Sequence, residues 1–269
     1  MTSPRDSAHD RAILDQFTRQ SADFARSPVL HGDAMLALIV DAGQVGAHDR
    51  AIDLACGPGS VACALAARAR SVVGLDATPA MLDQGRALAA RRALANVEWR
   101  QGDIYATPYP SGAFDVVTCR FAIHHLEHPA RAFAEMARLA APGGRIVVCD
   151  GLASDDPTKA RAFNEMERRR DPSTVEFRTH SHFLLLFAEA GLASVETRAF
   201  QAPFLARDLA AASFPADGDR EGLLALLEAS VPGDSLGMSA ERTSSGVRIT
   251  YHSAVMSAIK PAAAPNRKG

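Results

Sequence analysis

The chain has 269 residues, a formal net charge of −2, 47% hydrophobic and 22% charged residues. That length holds one large α/β domain or two small ones, and the composition belongs to a folded chain, not a disordered one. No basic excess exists to neutralise a phosphate backbone, so a nucleic-acid partner is disfavoured; the longest apolar stretch, HFLLLFAEAGLASV, is too short to span a bilayer and carries Glu189, so no membrane partner is expected.

The N-terminal MTSPRDSAHDR has no apolar run of the kind a secretory signal needs, and Cys56, Cys63, Cys119 and Cys149 form no Cys-x-x-Cys pair. Reduced thiols in a soluble cytoplasmic protein are the expectation. Residues 11–48 read as cap helices. Four short, nearly continuous apolar runs then recur, AIDLA (51–55), SVVGLD (71–76), FDVVTC (114–119) and RIVVCD (145–150), and VEWRQGD (97–103) reads as a further strand of the set. Such runs indicate strands buried on both faces, as in a parallel sheet. Helical patterns separate them: 60–69 after a Gly-Pro-Gly turn, 78–94 with Thr78 as N-cap and Pro79 next, and 129–144 from Pro129 to Gly143-Gly144. Strand–helix alternation with short connections predicts an α/β, doubly wound, Rossmann-like, mostly parallel sheet.

Beyond Asp150 the pattern predicts helices over 157–170 and 181–190, a strand over 194–200, and a broken region over 203–245 with one helical piece, GLLALLEAS. The alternating VRITYHSAVMSAIKP (247–261) reads as an antiparallel last strand. The expected organisation is a single seven-stranded domain. Its 49–152 core binds the cofactor, 153–246 forms a substrate and lid region, 247–261 is the last strand and 262–269 a mobile tail.

Ligands of open α/β sheets bind at the carboxyl ends of the strands. Here the first strand runs into Asp53-Leu-Ala-Cys-Gly57-Pro-Gly59-Ser60, whose glycines allow a tight turn and close backbone approach. Asp76 closes the next strand at the spacing where an acid meets a ribose hydroxyl. A dinucleotide fingerprint needs a further glycine where Val61 and Ala62 stand, which weakens a nicotinamide oxidoreductase reading. Asp53 within the first strand suits a cationic ligand better than a pyrophosphate.

Together these residues resemble the class I S-adenosylmethionine-dependent methyltransferases, closest to the small-molecule group related to the quinone-biosynthesis enzymes. The resemblance runs from about Gln16 to Pro261. It rests on Asp53-Leu-Ala-Cys-Gly-Pro-Gly, with Ala55 in place of the family's first glycine, on Val73-Gly-Leu-Asp76, and on Gln101-Gly-Asp103-Ile104. Phe114-Asp-Val-Val-Thr-Cys with Arg120-Phe-Ala-Ile-His-His-Leu, and Glu135-Met-Ala-Arg-Leu-Ala-Ala-Pro-Gly-Gly with Arg145-Ile-Val-Val, complete it. It implies S-adenosyl-L-methionine as cofactor, with Gly57 and Gly59 against its methionine part. Asp76 would hold the ribose, Asp103 the adenine amino group, Met81 and Ile104 the two faces of the ring, and Asp53 the positive end. Ala55, Cys56, Ala77 and Arg120 would lie beside these.

Methyl transfer from a sulfonium is chiefly a matter of holding the acceptor close and aligned, with a base needed only for an acceptor that carries a proton. FAIHHLEHP (121–129) supplies the histidines. His124 and His125 are adjacent and diverge, Glu127 suits a helix dipole and His128 a cap or the surface, so no metal site is expected. His125, with His124 second, is the candidate base. For the acceptor, a small molecule, the resemblance points to Phe17, Arg19 and Phe24 in the N-terminal segment; the helix after the fifth strand offers Asn164, Arg170 and Asp171, and the broken region 203–245 adds Phe204 and Phe214. Relatives often carry histidine after Arg-Asp-Pro-Ser, where this chain has Thr174. The same cofactor site would serve a cyclase or decarboxylating enzyme, and homodimerisation stays open.

Overall fold

The computed structural model describes residues 13, 14, 16–18 and 32–262. After helix α1 (Asp33–Ala42) come β1 (Arg50–Leu54), α2 (Ser60–Ala66), β2 (Ser71–Asp76), α3 (Pro79–Arg91), β3 (Val97–Gln101) and β4 (Phe114–Arg120). A 3₁₀ turn (Ile123–His125) leads to α4 (Pro129–Leu139) and β5 (Ala140–Gly151). Then follow α5 (Pro157–Arg170), α6 (His180–Glu189), β6 (Ala193–Leu205), α7 (Ala206–Ala211), α8 (Arg220–Ala229), β7 (Glu241–Thr243) and β8 (Gly246–Ile259).

The strands form one sheet in the order β3-β2-β1-β4-β5-β8-β6, with β7 hairpinned onto β8 as an eighth strand. β1 to β5 pair in parallel, and β8 inserts antiparallel between β5 and β6. The chain winds outward through β1, β2 and β3, then returns to place β4 on the other side of β1. That reversal makes the β1/β4 carboxyl ends the switch point of the sheet.

Side chains explain why these runs are continuously apolar. Val72, Val116 and Val147 face α1 and α2 in one core, with Ile39, Val61 and Leu65. Their neighbours Val73, Val117 and Val148 face the other, against Phe133 and Met136 of α4 and Phe183 and Phe187 of α6. Period-two alternation with both faces covered makes these runs mostly apolar, and a polar side chain they do admit is paired, as Thr118 is with Asp53. A third core lies beyond the sheet's carboxyl end, where Phe163 and Met166 of α5 meet Leu209, Leu223, Leu227 and Ile249.

Several expected boundaries move. The helix expected over 129–144 stops at Leu139; residues 141–144 loop out between Ala140, opposite Phe114, and Arg145, opposite Val116, with Gly143 at φ 78°. Thr78 makes no side-chain cap bond; instead its N–H donates to Asp76 Oδ1 at 2.8 Å. Asp156 does cap α5, accepting from the Thr158 and Lys159 N–H groups. The 203–245 region holds α7 and β7 in addition to the expected helical piece.

Candidate functional site

The turn after β1 is built from alternating left-handed residues: Ala55 (φ 50°), Gly57 (φ 51°) and Gly59 (φ 81°). It is tied to β2, with Cys56 N–H donating to the Leu75 carbonyl and Gly57 N–H to Asp76 Oδ2 at 2.8 Å. Beside it opens a cavity of about 200 Å³ at the carboxyl ends of β1 to β4. Ala55, Cys56 and Gly57 form one wall, Asp76, Ala77 and Met81 the next, and Asp103 and Ile104 the far one. Arg120 and His125 line the side towards β4, and Phe17 with Ile13 and Leu14 lies across the mouth.

Residue chemistry matches these places. A Cβ on Gly57 would meet nothing within 4 Å, so that backbone face looks into open cavity. Both Asp76 oxygens accept backbone N–H groups, Oδ2 from Gly57 and Oδ1 from Thr78. Burial pushes the Asp76 carboxyl up from its ordinary value against those hydrogen bonds. Met81 and Ile104 are buried apolar residues of the cavity lining. Arg120 lies over the Phe121 ring, 5.2 Å from its centroid, and burial lowers its pKa.

Asp53 lies behind the turn and does not line the cavity; its Oδ1 accepts from Thr118 Oγ1 at 2.7 Å, and burial pushes its pKa up to about 7. Gly59 also lies off the cavity. What demands glycine there is Trp99: a Cβ at Gly59, Gly74 or Gly85 would overlap the indole, which lies in a slot of three glycines.

The two histidines separate. His124 turns away: its Nδ1 is 2.6 Å from Asp150 Oδ1 and its ring stacks on Phe177 at 4.2 Å. That arrangement ties the loop to β5 and gives His124 a structural role where a second base was expected. His125 lines the cavity with Nδ1 3.0 Å from the Ser173 carbonyl oxygen, and Phe17 meets its ring edge-on at 4.9 Å. Burial, reinforced by His124, lowers its pKa to about 3, so the imidazole is neutral at working pH.

Other expected acceptor residues are engaged elsewhere. Asn164 donates to the Ala160 and Phe177 carbonyls and accepts from Phe177 N–H, clamping α5 to the following loop. Arg170 pairs with buried Glu167, which also accepts from Tyr251 Oη. Phe204 packs on Tyr251 and Phe214 under Arg220, both off the cavity. Arg19 and Phe24 lie outside the described residues. Sequence reasoning missed Tyr105, Phe121 and Glu127 on the cavity wall; Phe121 turns inward at φ 50°, a conformation no residue pattern announces. Among the described residues no group of three His, Cys, Asp or Glu side chains could hold a metal ion.

A family model described as a methyltransferase domain matches residues 52–148, the stretch that builds most of this cavity. An uncharacterized methyltransferase of Bacillus subtilis, YcgJ, is 30% identical over 168 residues, 62% of this chain and 66% of that protein. The crystal structure of YcgJ superposes with a TM-score of 0.76 at 26% identity, covering 85% of this chain and 98% of that one. The chain belongs to the class I S-adenosylmethionine-dependent methyltransferases. A demethylmenaquinone methyltransferase of Thermus thermophilus is 41% identical over 113 residues, 41% of this methyltransferase chain and 51% of the relative. The sequence matches thus span about half to two thirds of these curated relatives. The [4+2]-cyclase SpnF shares the fold at a TM-score of 0.63 and 16% identity, covering 95% of this chain and 97% of that one. No helix among the described residues is long and apolar enough to cross a membrane.

Proposed function

We propose that this chain transfers the methyl group of S-adenosylmethionine to a small, largely apolar acceptor placed against Phe17 and His125 on the cavity wall. The observation that carries the reading is the cavity's continuity: one space runs from Gly57 and Asp76 past Arg120 to His125 and Phe17. The cofactor supplies an electrophilic methyl group on a positively charged sulfur. Gly57 would pass its methionine part, Asp76 would accept from the ribose hydroxyls, and Asp103 from the adenine amino group between Met81 and Ile104. Asp53 and Cys56 would back the turn. Residues 153–246 would cover the acceptor side of the 49–152 core.

The acceptor's surroundings are apolar except for His125 and the charged rim of Arg120 and Glu127. That suits a ring or chain with one ionisable hydroxyl, or a carbon activated by one. Because the Thermus relative is named for a menaquinone precursor, a reduced naphthoquinone is the first acceptor class to test. Catalysis would come mainly from alignment, roughly 7–11 kcal/mol of the barrier for well-oriented reactants, with His125 receiving the displaced proton.

The test has two readings. Calorimetry should show S-adenosylmethionine binding to the wild type and severe weakening in Asp76→Ala; equal affinity in the two would sink the cofactor assignment. Mass spectrometry of a panel of hydroquinones, phenols and amines incubated with labelled cofactor should show which gains a methyl group. A panel in which only amines are methylated would overturn the acceptor chemistry.

A further inference from the structure

We propose that Ser173 and Asp171 are positioning residues that hold His125 as its Nδ1–H tautomer, making Nε2 the proton-accepting atom on the acceptor side. The inference rests on the proposed methyl transfer for its consequence, but its geometry stands apart from it. His125 Nδ1 lies 3.0 Å from the Ser173 carbonyl oxygen and 3.1 Å from Ser173 Oγ. A carbonyl oxygen only accepts, so Nδ1 carries the hydrogen and Nε2 the lone pair. The Ser173 hydroxyl hydrogen is committed in the other direction, to Asp171 Oδ1 at 2.6 Å, which leaves an Oγ lone pair for Nδ1–H.

The relay is built by the backbone. Asp171 ends α5 in an extended conformation (φ −139°, ψ 101°), as a residue before proline must. The turn through Pro172 brings Ser173 N–H back to Asp171 Oδ1 at 3.0 Å and Thr174 N–H to the Asp171 carbonyl at 3.0 Å. Asp171, Ser173 and His125 are all at least nine-tenths buried. Burial pushes the Asp171 carboxyl up, but His125, Arg170 and the Ser173 donors outweigh it and hold it below its ordinary value. A carboxylate is therefore in place behind the imidazole. His124, with ring centroids 4.1 Å apart, is the neighbour that opposes charging of His125; Asp171 does most to favour it, ahead of the Ser173 carbonyl and Asp150.

In the step this serves, the acceptor's O–H or C–H bond breaks and its electron pair forms the new bond to the methyl carbon. The methyl–sulfur bond breaks with its pair passing to sulfur, and the proton goes to His125 Nε2. The resulting imidazolium donates through Nδ1–H to Ser173, whose hydroxyl is anchored on the Asp171 carboxylate. No oxidant, reductant or metal enters the balance.

The experiment is ¹⁵N spectroscopy of the full chain with labelled histidine and S-adenosylhomocysteine added. Wild type should show His125 protonated at Nδ1. Asp171→Ala, which releases both Ser173 bonds and so frees the turn that places the Ser173 carbonyl, should move His125 to a mixture of tautomers, and Ser173→Ala, which keeps the N–H bond to Asp171 at that position, should do so less. Should the Ala variant fail to fold, Asp171→Asn, which keeps an acceptor for both Ser173 donors and loses only the charge, should lower kcat with the Nδ1–H tautomer retained, and a wild-type kcat there would remove the carboxylate from the relay. An Nε2–H tautomer in the wild type, or an unchanged tautomer in Asp171→Ala, would overturn the relay. With an acceptor from the panel, Asp171→Ala should also lower kcat about tenfold, less than the roughly 10²–10⁴-fold that the proton transfer itself contributes, with cofactor affinity retained. Full turnover in His125→Ala would remove the base from the proposed reaction while leaving the relay's tautomer result standing.

Discussion

Ala55 stands at φ 50° where the family's motif has glycine. An L-residue in the left-handed region costs about 1–2 kcal/mol, only partly offset by the lower unfolded-state entropy of alanine, about 0.4–1 kcal/mol. Ala55→Gly should therefore stabilise the fold slightly, by up to about 1 kcal/mol, measured as a shift in the urea midpoint. Destabilisation would mean that the methyl group packs usefully against the cavity wall. Two positions on, the same φ has a different consequence. Gly57 has open space at its Cβ, so Gly57→Ala should fold with a modest stability loss of up to about 1 kcal/mol. Its methyl group would intrude on the ligand face, and calorimetry should show cofactor binding weakened at least tenfold. Gly59, two residues further still, faces Trp99 and not the cavity. Three glycine-compatible positions in one turn thus answer to three physical demands.

At the scale of elements, the Trp99 slot sets propensity against packing. Gly85 lies inside α3, where alanine is ordinarily preferred by about 1 kcal/mol. A Cβ there overlaps the indole, which is wedged between Gly59, Gly74 and Gly85. Gly85→Ala should therefore destabilise, by about 1–3 kcal/mol as overpacking does. Combining it with Trp99→Leu should recover part of the loss in a double-mutant cycle; simple additivity would show the slot to be slack. The α5 clamp is the second such case. Asn164 makes three hydrogen bonds to backbone groups, so Asn164→Ala leaves buried partners unsatisfied at about 1–3 kcal/mol. The loss should appear in thermal unfolding, with cofactor affinity close to wild type. Equal stability with impaired turnover would restore Asn164 to the acceptor site.

At the scale of the whole molecule, two buried groups give the stability opposite pH dependences. His125 has an ordinary pKa of 6.5 when unfolded and about 3 in the fold, so between these values the unfolded chain binds more protons. Its contribution to stability rises with pH over that window and is lost on acidification. Asp53 has 3.8 unfolded and about 7 folded, so the folded chain binds more protons between them. Its contribution falls as pH rises towards neutrality. Relative to wild type, His125→Gln should thus gain stability as pH is lowered below about 6, and Asp53→Asn should gain as pH is raised above about 5. Urea titrations at the two ends of the range check both signs, and parallel profiles for all three proteins would show that neither group is held in its neutral form.

The sheet was legible from the chain because a strand covered on both faces is built mostly of apolar residues. Runs such as SVVGLD and FDVVTC therefore mark β2 and β4 almost to the residue. The cofactor side of the cavity was legible for a related reason: tight turns and strand-end acids are local features, and a parallel sheet brings its strand ends together whatever surrounds it. Helix ends and the 203–245 region were less so, since α4 is ended by the strand pairing of Ala140 and not by Gly143. Which of two adjacent histidines faces the cavity, and that Asn164 and Arg170 face inward to Phe177 and Glu167, depends on residues far apart in the chain. Sequence by itself determined the α/β sheet, the glycine turn and the acid that closes β2, because local backbone geometry dictates them. Only the tertiary structure decided that Trp99 claims Gly59 and that Asp171 and Ser173 stand behind His125, because a side chain's partner is set by packing across the fold and not by its neighbours in sequence.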